Sequence, residues 1–84
     1  MNREQRKEKR IVWDRPGAIS SLVGKHIINC IVKDISPRGA RPLVPMPEVL
    51  PDYFRLDYGD QAVQPKCAIR WRKGNKAGVK FLPE

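Results

Sequence analysis

Two short segments of the sequence combine residue types that bind phosphate groups and guanine bases. The first is Arg6-Lys7-Glu8-Lys9-Arg10, in which two arginines are four residues apart. Residues i and i+4 face the same side in both a helix and a strand, so Arg6 and Arg10 could contact one ligand together. A guanidinium group forks onto phosphate oxygens and onto the O6 and N7 atoms of guanine. The alternative interpretation is a solvated basic tail.

The second segment is Asp34-Ile35-Ser36-Pro37-Arg38-Gly39-Ala40, which follows an apolar run. Its last part fits a type I turn, with proline second and Gly39 fourth, and Asp34 and Ser36 could simply bond nearby backbone amides. The functional interpretation is that the Asp34 carboxylate accepts hydrogen bonds from both N1–H and the N2 amino group of guanine, a donor pair that adenine lacks. Gly39 would then allow close approach of the backbone to the ligand.

The elements that position these segments are predicted to be β-strands. Eight prolines and six glycines leave few windows for an amphipathic helix. Alternation of apolar and polar residues predicts strands at 27–33, 53–58, 66–72 and 79–81, with shorter ones at 11–13 and 19–23. Turns are predicted at 15–17 and 73–76, and the four prolines within 42–51 predict an irregular crossing. Several short strands indicate a closed barrel, because closure removes exposed edges.

Trp71 and the two cysteines are interpreted first as core residues. Trp71 occupies an inward position of an alternating strand, and the alternative places its indole near the ligand rim. Cys30 and Cys67 fall in apolar runs and are expected to be free thiols. Together with the single His26 they lack the spacing of a zinc site, so no metal is expected. No nucleophile or paired carboxylates can be assembled, so we expect a protein that is not an enzyme.

Size and charge predict one small domain with an anionic partner. The 84 residues suffice for a single domain and carry a net charge of +8. Basic residues concentrate in 1–10 and 66–80, which favours a phosphate-bearing ligand. The polar N-terminus is not a secretory signal, and no apolar run reaches the ~20 residues of a membrane span. A cytoplasmic location without membrane contact is expected, with residues 1–10 as a flexible arm and 11–84 as the barrel.

Taken together, these segments resemble the PilZ family. Arg6 and Arg10 match its RxxxR motif, and Asp34, Ser36 and Gly39 match its (D/N)xSxxG motif. The opening from Glu4 to Arg10, the strand around Ile69-Arg70-Trp71 and the Gly78-Val79-Lys80-Phe81 segment also resemble family features, in the family's order. The resemblance extends over nearly the whole chain.

The resemblance implies a six-stranded antiparallel β-barrel that binds cyclic di-GMP, needs no cofactor and acts in bacterial second-messenger signalling. It implies that Arg6 and Arg10 grip phosphate and guanine edges from the arm, while Asp34, Ser36 and Gly39 hold a guanine. Gln5, Lys7, Arg38 and Trp71 are secondary candidates, and Arg38, Arg70 and Arg72 would add attraction for the dianion. Gln5 stands where many members have an arginine, which leaves open one ligand molecule or an intercalated pair. Ligand binding would order the arm and alter a surface that a downstream protein recognises.

Two other functions are compatible with parts of the sequence. A basic barrel could bind RNA or DNA non-specifically, but stacking platforms need an aromatic-rich face, and Trp13, Tyr53 and Tyr58 are scattered along the chain. No nucleic-acid partner is therefore expected. A PilZ protein that binds no ligand and only docks other proteins would not need both arginines and the Asp-Ser-Gly set.

Overall fold

The computed structural model describes residues 9–59 and 63–83, which form six β-strands and a short 3-10 helix. The strands are β1 (Ile11–Ser20), β2 (His26–Ser36), β3 (Gly39–Leu43), β4 (Tyr53–Asp57), β5 (Lys66–Lys73) and β6 (Lys76–Leu82). They pair antiparallel and close into a barrel in the order β1-β2-β3-β6-β5-β4. The predicted all-β fold with a six-stranded antiparallel barrel is confirmed. Most of the predicted arm, residues 1–8, lies outside the described residues.

The barrel interior is filled by the inward residues of the alternating strands. Phe54 and Leu56 of β4 and Val32 of β2 are completely buried, and Cys30 is nearly so. Apolar side chains from the other strands and from the crossing between β3 and β4 complete one continuous core: Ile19, Ala40, Val44, Leu50, Cys67, Ala77 and Val79. The alternation that predicted these strands therefore also identified their buried face, because successive side chains point to opposite sides of a sheet.

The first strand differs from its prediction. The turn predicted at 15–17 is wrong, since β1 continues through it to Ser20. The chain accommodates an extra residue by a bulge in the pairing with β2, and Asp14 in that bulge has φ of 53°. Pro16 is tolerated because β4 pairs with β1 only from Ala18 onwards, so a missing N–H at Pro16 interrupts no β1–β4 pairing.

The proline-rich crossing is shorter than predicted. Pro42 belongs to β3, where it is fully buried, and a 3-10 helix covers Pro47–Val49. Arg72 holds this segment to β5, since its Nε donates to the Pro47 carbonyl at 3.0 Å and its Nη2 to the Leu50 carbonyl at 2.8 Å. Arg72 was expected to attract the ligand together with Arg38 and Arg70. Its guanidinium instead stabilises the fold through these two hydrogen bonds.

The C-terminal hairpin is confirmed, but its strand β5 does not keep a single alternation. Gly74, at the first position of the two-residue loop, has φ of 62°, which suits glycine. In the pairing with β6, Ile69 faces Val79 and Trp71 faces Gly78, so Arg70 is an extra residue. This bulge turns Trp71 to the outside, where 41% of it is exposed. The prediction that Trp71 packs in the core is wrong.

The cysteines are free and buried, as predicted. Burial, followed by the nearby charge of Asp57, raises the pKa of Cys30 to about 12. Among residues 9–59 and 63–83, no group of three or more metal-ligating side chains occurs. No helix within the described ranges is long and apolar enough to span a bilayer.

Candidate functional site

The hairpin between β2 and β3 brings a carboxylate and an arginine face to face. The predicted turn is present, with Ser36 paired to Gly39 across the loop formed by Pro37 and Arg38. From this pairing the register continues outward and places Asp34 directly opposite Arg41. Directly opposed residues on neighbouring antiparallel strands lie on the same face, close enough for their side chains to interact.

Asp34 is held by two guanidinium groups. Arg41 donates from Nε to both carboxylate oxygens at 3.0 Å and from Nη2 to Oδ2 at 2.7 Å. Arg10 Nη1 donates to Oδ1 at 2.7 Å. The side chain of Asp34 is only 13% exposed, whereas the two arginine side chains are 43% and 45% exposed. The end of the N-terminal segment is thus joined to the β2–β3 hairpin by a charge-assisted contact.

The two arginines keep Asp34 ionised. Burial by itself raises the pKa of this carboxyl, but the hydrogen bonds from Arg41 and Arg10, together with their positive charges, lower it further than burial raises it. The net pKa lies below the usual value of 3.8. The same contact raises the pKa of Arg41. Asp34 is therefore an acceptor-only carboxylate at neutral pH.

Ser36 supports the turn from inside. Ser36 is a buried polar residue, at 7% exposure. The Oγ atom accepts from the Arg38 backbone N–H at 3.3 Å and donates to the Gly39 carbonyl at 3.5 Å, the long limit for a hydrogen bond. The loop is also tied to β6, because the Phe81 N–H donates to the Arg38 carbonyl at 2.7 Å. The conformation of the hairpin tip is therefore fixed on both sides.

An open pocket of about 330 Å³ lies beside this hairpin, between it and the β5–β6 pair. Its lining includes Arg10, Ser36, Arg38, Gly39, Arg41, Arg70, Trp71 and Gly78. Four of these are arginines, so the pocket favours an anionic ligand. Its volume falls within the range typical of small-molecule sites.

Trp71 forms one wall of the pocket. Its indole lies against Gly78, where an added Cβ would meet the Nε1 atom at only 2.3 Å. Glycine at this position thus lets the ring pack closely against β6. The exposed part of the indole offers a surface on which a planar base can stack.

The family model for the PilZ domain matches residues 4–84 of this chain. The chain belongs to the PilZ family. PilZ domains are known as cyclic di-GMP-binding modules, although some PilZ proteins lack ligand binding. A comparison with curated proteins found no match.

The structure brings part of the predicted PilZ site together. Arg10, Ser36, Gly39, Arg38 and Trp71 line one pocket, and Asp34 is bonded to Arg10 at its border. Arg6, Gln5 and Lys7 lie outside the described residues, so their positions stay predictions. The close approach at Gly39 is to protein backbone, since a Cβ there would lie 2.1 Å from the Val79 carbonyl oxygen.

Arg41 is the site residue that the sequence analysis missed. The sequence did contain the information needed to find it. A two-residue loop between Ser36 and Gly39 fixes the antiparallel register, and this register sets residue 41 opposite residue 34. The exposed position of Trp71 had no such signal, since the bulge at Arg70 depends on how β5 pairs with β6.

Proposed function

We propose that this PilZ domain is a receptor for cyclic di-GMP in bacterial second-messenger signalling, acting by binding and without catalysis. The observation that carries the proposal is the contact between Arg10 and Asp34, 2.7 Å from Nη1 to Oδ1, at the edge of an arginine-lined pocket. This contact joins the RxxxR segment to the Asp-Ser-Gly segment. A dianionic dinucleotide with two guanines matches both the charge and the acceptor chemistry found there.

Each residue of the proposed site has a role that its chemistry supports. Arg10, with Arg6 from the arm, binds phosphate oxygens or the O6 and N7 atoms of a guanine. Asp34 accepts from N1–H and the N2 amino group of a guanine. Ser36 and Gly39 shape the rim of the pocket through the turn that they close.

Four further residues contribute in the proposal as secondary contacts. Trp71 offers its exposed indole for stacking, and Arg38 adds positive charge to the pocket. Gln5 and Lys7 act from the arm beside the RxxxR arginines. No metal or cofactor takes part in this binding.

Ligand binding would draw the arm onto the barrel and create the surface that a downstream protein recognises. Ordering costs about 1–2 kcal/mol per backbone residue, so the arginine contacts must exceed this to give useful affinity. We place the receptor in the cytoplasm, and the buried free thiols of Cys30 and Cys67 agree with a reducing compartment.

The test is replacement of both RxxxR arginines by alanine, Arg6→Ala with Arg10→Ala. We expect affinity for cyclic di-GMP to fall by about 100-fold or more, because hydrogen bonds to charged groups contribute about 1.5–3 kcal/mol each. Calorimetric titration measures the affinity and also the stoichiometry, which separates one bound molecule from an intercalated pair. Circular dichroism checks that the barrel stays folded.

A matched control removes two positive charges elsewhere. Lys25 lies in the β1–β2 turn and Lys66 begins β5, four residues before Arg70 or about 13 Å along an extended strand, and neither lines the 330 Å³ pocket. The variant Lys25→Ala with Lys66→Ala should bind within about threefold of the wild type, since charges beyond about 8 Å are largely screened at cellular salt. Unchanged affinity in a folded Arg6/Arg10 double variant would reject the proposal.

Single-stranded nucleic acid is a second candidate, favoured by the exposed Trp71 beside Arg70. An aromatic ring with flanking cations is the basic unit of such binding sites. Titration with mixed-sequence oligonucleotides separates the two functions. Comparable affinity for an oligonucleotide and for cyclic di-GMP would favour this second candidate.

A further inference from the structure

Both oxygens of the Asp34 carboxylate already accept hydrogen bonds from protein donors. An ionised carboxylate offers about four lone-pair positions. Arg41 makes three contacts with the two oxygens, at 3.0, 3.0 and 2.7 Å, and Arg10 makes a fourth at 2.7 Å. A base that seeks both oxygens of Asp34 must therefore displace at least one guanidinium group.

Arg41 presents to Asp34 the same donor pair that a guanine would present. In guanine, N1–H and the N2 amino group are attached to one carbon, so this edge of the base is itself a guanidine fragment. In Arg41, Nε–H and the Nη2 group are likewise attached to the single carbon Cζ, and both donate to the carboxylate. Adenine has no such pair of adjacent donors on its pairing edge.

We propose that Arg41 is an internal competitor of guanine for Asp34, and that a base gains the carboxylate only by replacing the Arg41 fork. This makes Arg41 a specificity-determining residue of the pocket. The inference rests on the proposed binding of cyclic di-GMP and deepens it. A guanine brings two N–H donors in place of the two donor groups of Arg41, whereas a base without the donor pair would leave the carboxylate with fewer hydrogen bonds than Arg41 gives it.

The surroundings of Arg41 allow its side chain to leave. It is 45% exposed, and it lies between two concavities, because it lines both the 330 Å³ pocket and a second pocket of about 240 Å³. Trp71 also lines both. A displaced guanidinium can therefore remain beside the indole ring, where cations bind favourably.

The decisive variant is Arg41→Lys. Lysine keeps the positive charge that attracts a dianion but acts as a point donor and cannot form the two-pronged contact. Cyclic di-GMP should bind Arg41→Lys about three- to tenfold more tightly than the wild type, because the competing fork is gone. Affinity for cyclic di-AMP should change by less than about twofold, since adenine cannot use the freed carboxylate edge. Calorimetric titration measures both ligands.

Arg70→Lys is the matched control. Arg70 lines the same pocket and is exposed, yet it makes no contact with Asp34 among the hydrogen bonds described. The same chemical change there should leave the affinity for cyclic di-GMP equal or weaker. If Arg41→Lys folds poorly by circular dichroism, Arg41→Gln removes the same charged fork and should also bind more tightly.

The outcomes separate this inference from the proposed function. If the wild type binds cyclic di-GMP and the Arg41 variants bind no more tightly, the competitor role is wrong and the receptor function stands. If only the variants bind, the competitor role is supported while the native chain is no receptor under those conditions. If neither binds, both proposals are rejected.

Discussion

At Asp34 one carboxylate joins two strands and the end of the N-terminal segment. It pairs across the β2–β3 hairpin with Arg41 and reaches Arg10, which precedes β1. A group proposed to hold a base therefore also stabilises the barrel. Its removal should reduce stability as well as binding, and denaturant unfolding and ligand titration measure the two effects separately.

We predict that the stabilising effect of Asp34 disappears in acid. Because the folded-state pKa is lowered below 3.8, this contribution is fully present above the unfolded-state pKa and is lost as pH falls through the folded-state value. The variant Asp34→Asn should be less stable than the wild type at pH 7, and the difference should shrink below about pH 4. Urea unfolding at several pH values measures it. A difference that stays constant down to pH 2 would contradict this prediction.

The positions of the site residues depend on bulges in the strands as much as on regular strand pairing. The bulge at Arg70 in β5 moves Trp71 from the core side to the pocket side. A second register shift, between Val32 and Asp34 in β2, separates the regular core pairing from the hairpin end that carries the carboxylate. Bulges re-aim side chains in this way next to binding sites in many sheets.

Substitution by alanine should affect stability differently at two glycines of the neighbouring strands β3 and β6. A Cβ at Gly39 would lie 2.1 Å from the backbone oxygen of Val79, so strands β3 and β6 would have to separate. The three atoms nearest to a Cβ at Gly78 would all belong to the Trp71 side chain, which can turn away. We expect Gly39→Ala to cost about 2 kcal/mol or more of unfolding free energy, and Gly78→Ala to cost less.

For ligand affinity we expect Gly78→Ala to have a large effect relative to its small effect on stability. In Gly78→Ala the barrel persists while the indole leaves its place, so affinity for cyclic di-GMP should fall with little loss of stability. Denaturant unfolding and calorimetry, performed on both variants, test this pair. If both substitutions lower the free energy of unfolding equally, the predicted cost of the backbone contact at Gly39 is wrong.

A closed barrel leaves its rim as the part of the described chain that can respond to a ligand, and the proposed receptor adds the N-terminal arm. The chain carries a net charge of +8, and the arginine-lined pocket lies where the arm meets β1. Positive charge around a concave site raises the local concentration and the association rate of an anion, with a strong dependence on salt.

We predict that cyclic di-GMP protects the arm from hydrogen exchange. Backbone amides in residues 2–10 should exchange more slowly with saturating ligand, because Arg6 and Arg10 would fix the arm against the pocket. Amides of the β4 core should change little and serve as an internal reference. Exchange measured by mass spectrometry with and without ligand tests the proposal, and unchanged exchange throughout residues 2–10 would contradict it.

The sequence alone determined the fold class, most strand positions and the buried face of most strands. Local alternation carries that information, because a side chain's position within its own strand decides which face it occupies. It also marked Asp34, Ser36 and Gly39 through the turn chemistry between them. Even the pairing of Asp34 with Arg41 was implicit in the length of that turn.

Only the tertiary structure decided the placement of Trp71, the continuity of β1 and the contact of Arg10 with Asp34. Each depends on which residue of another strand or segment comes opposite, and a bulge of one residue reverses the inward and outward sides beyond it. Such pairings join positions far apart in the chain, where no local pattern specifies the partner. The Arg10–Asp34 contact and the exposed indole therefore became evident only from strand pairing and packing.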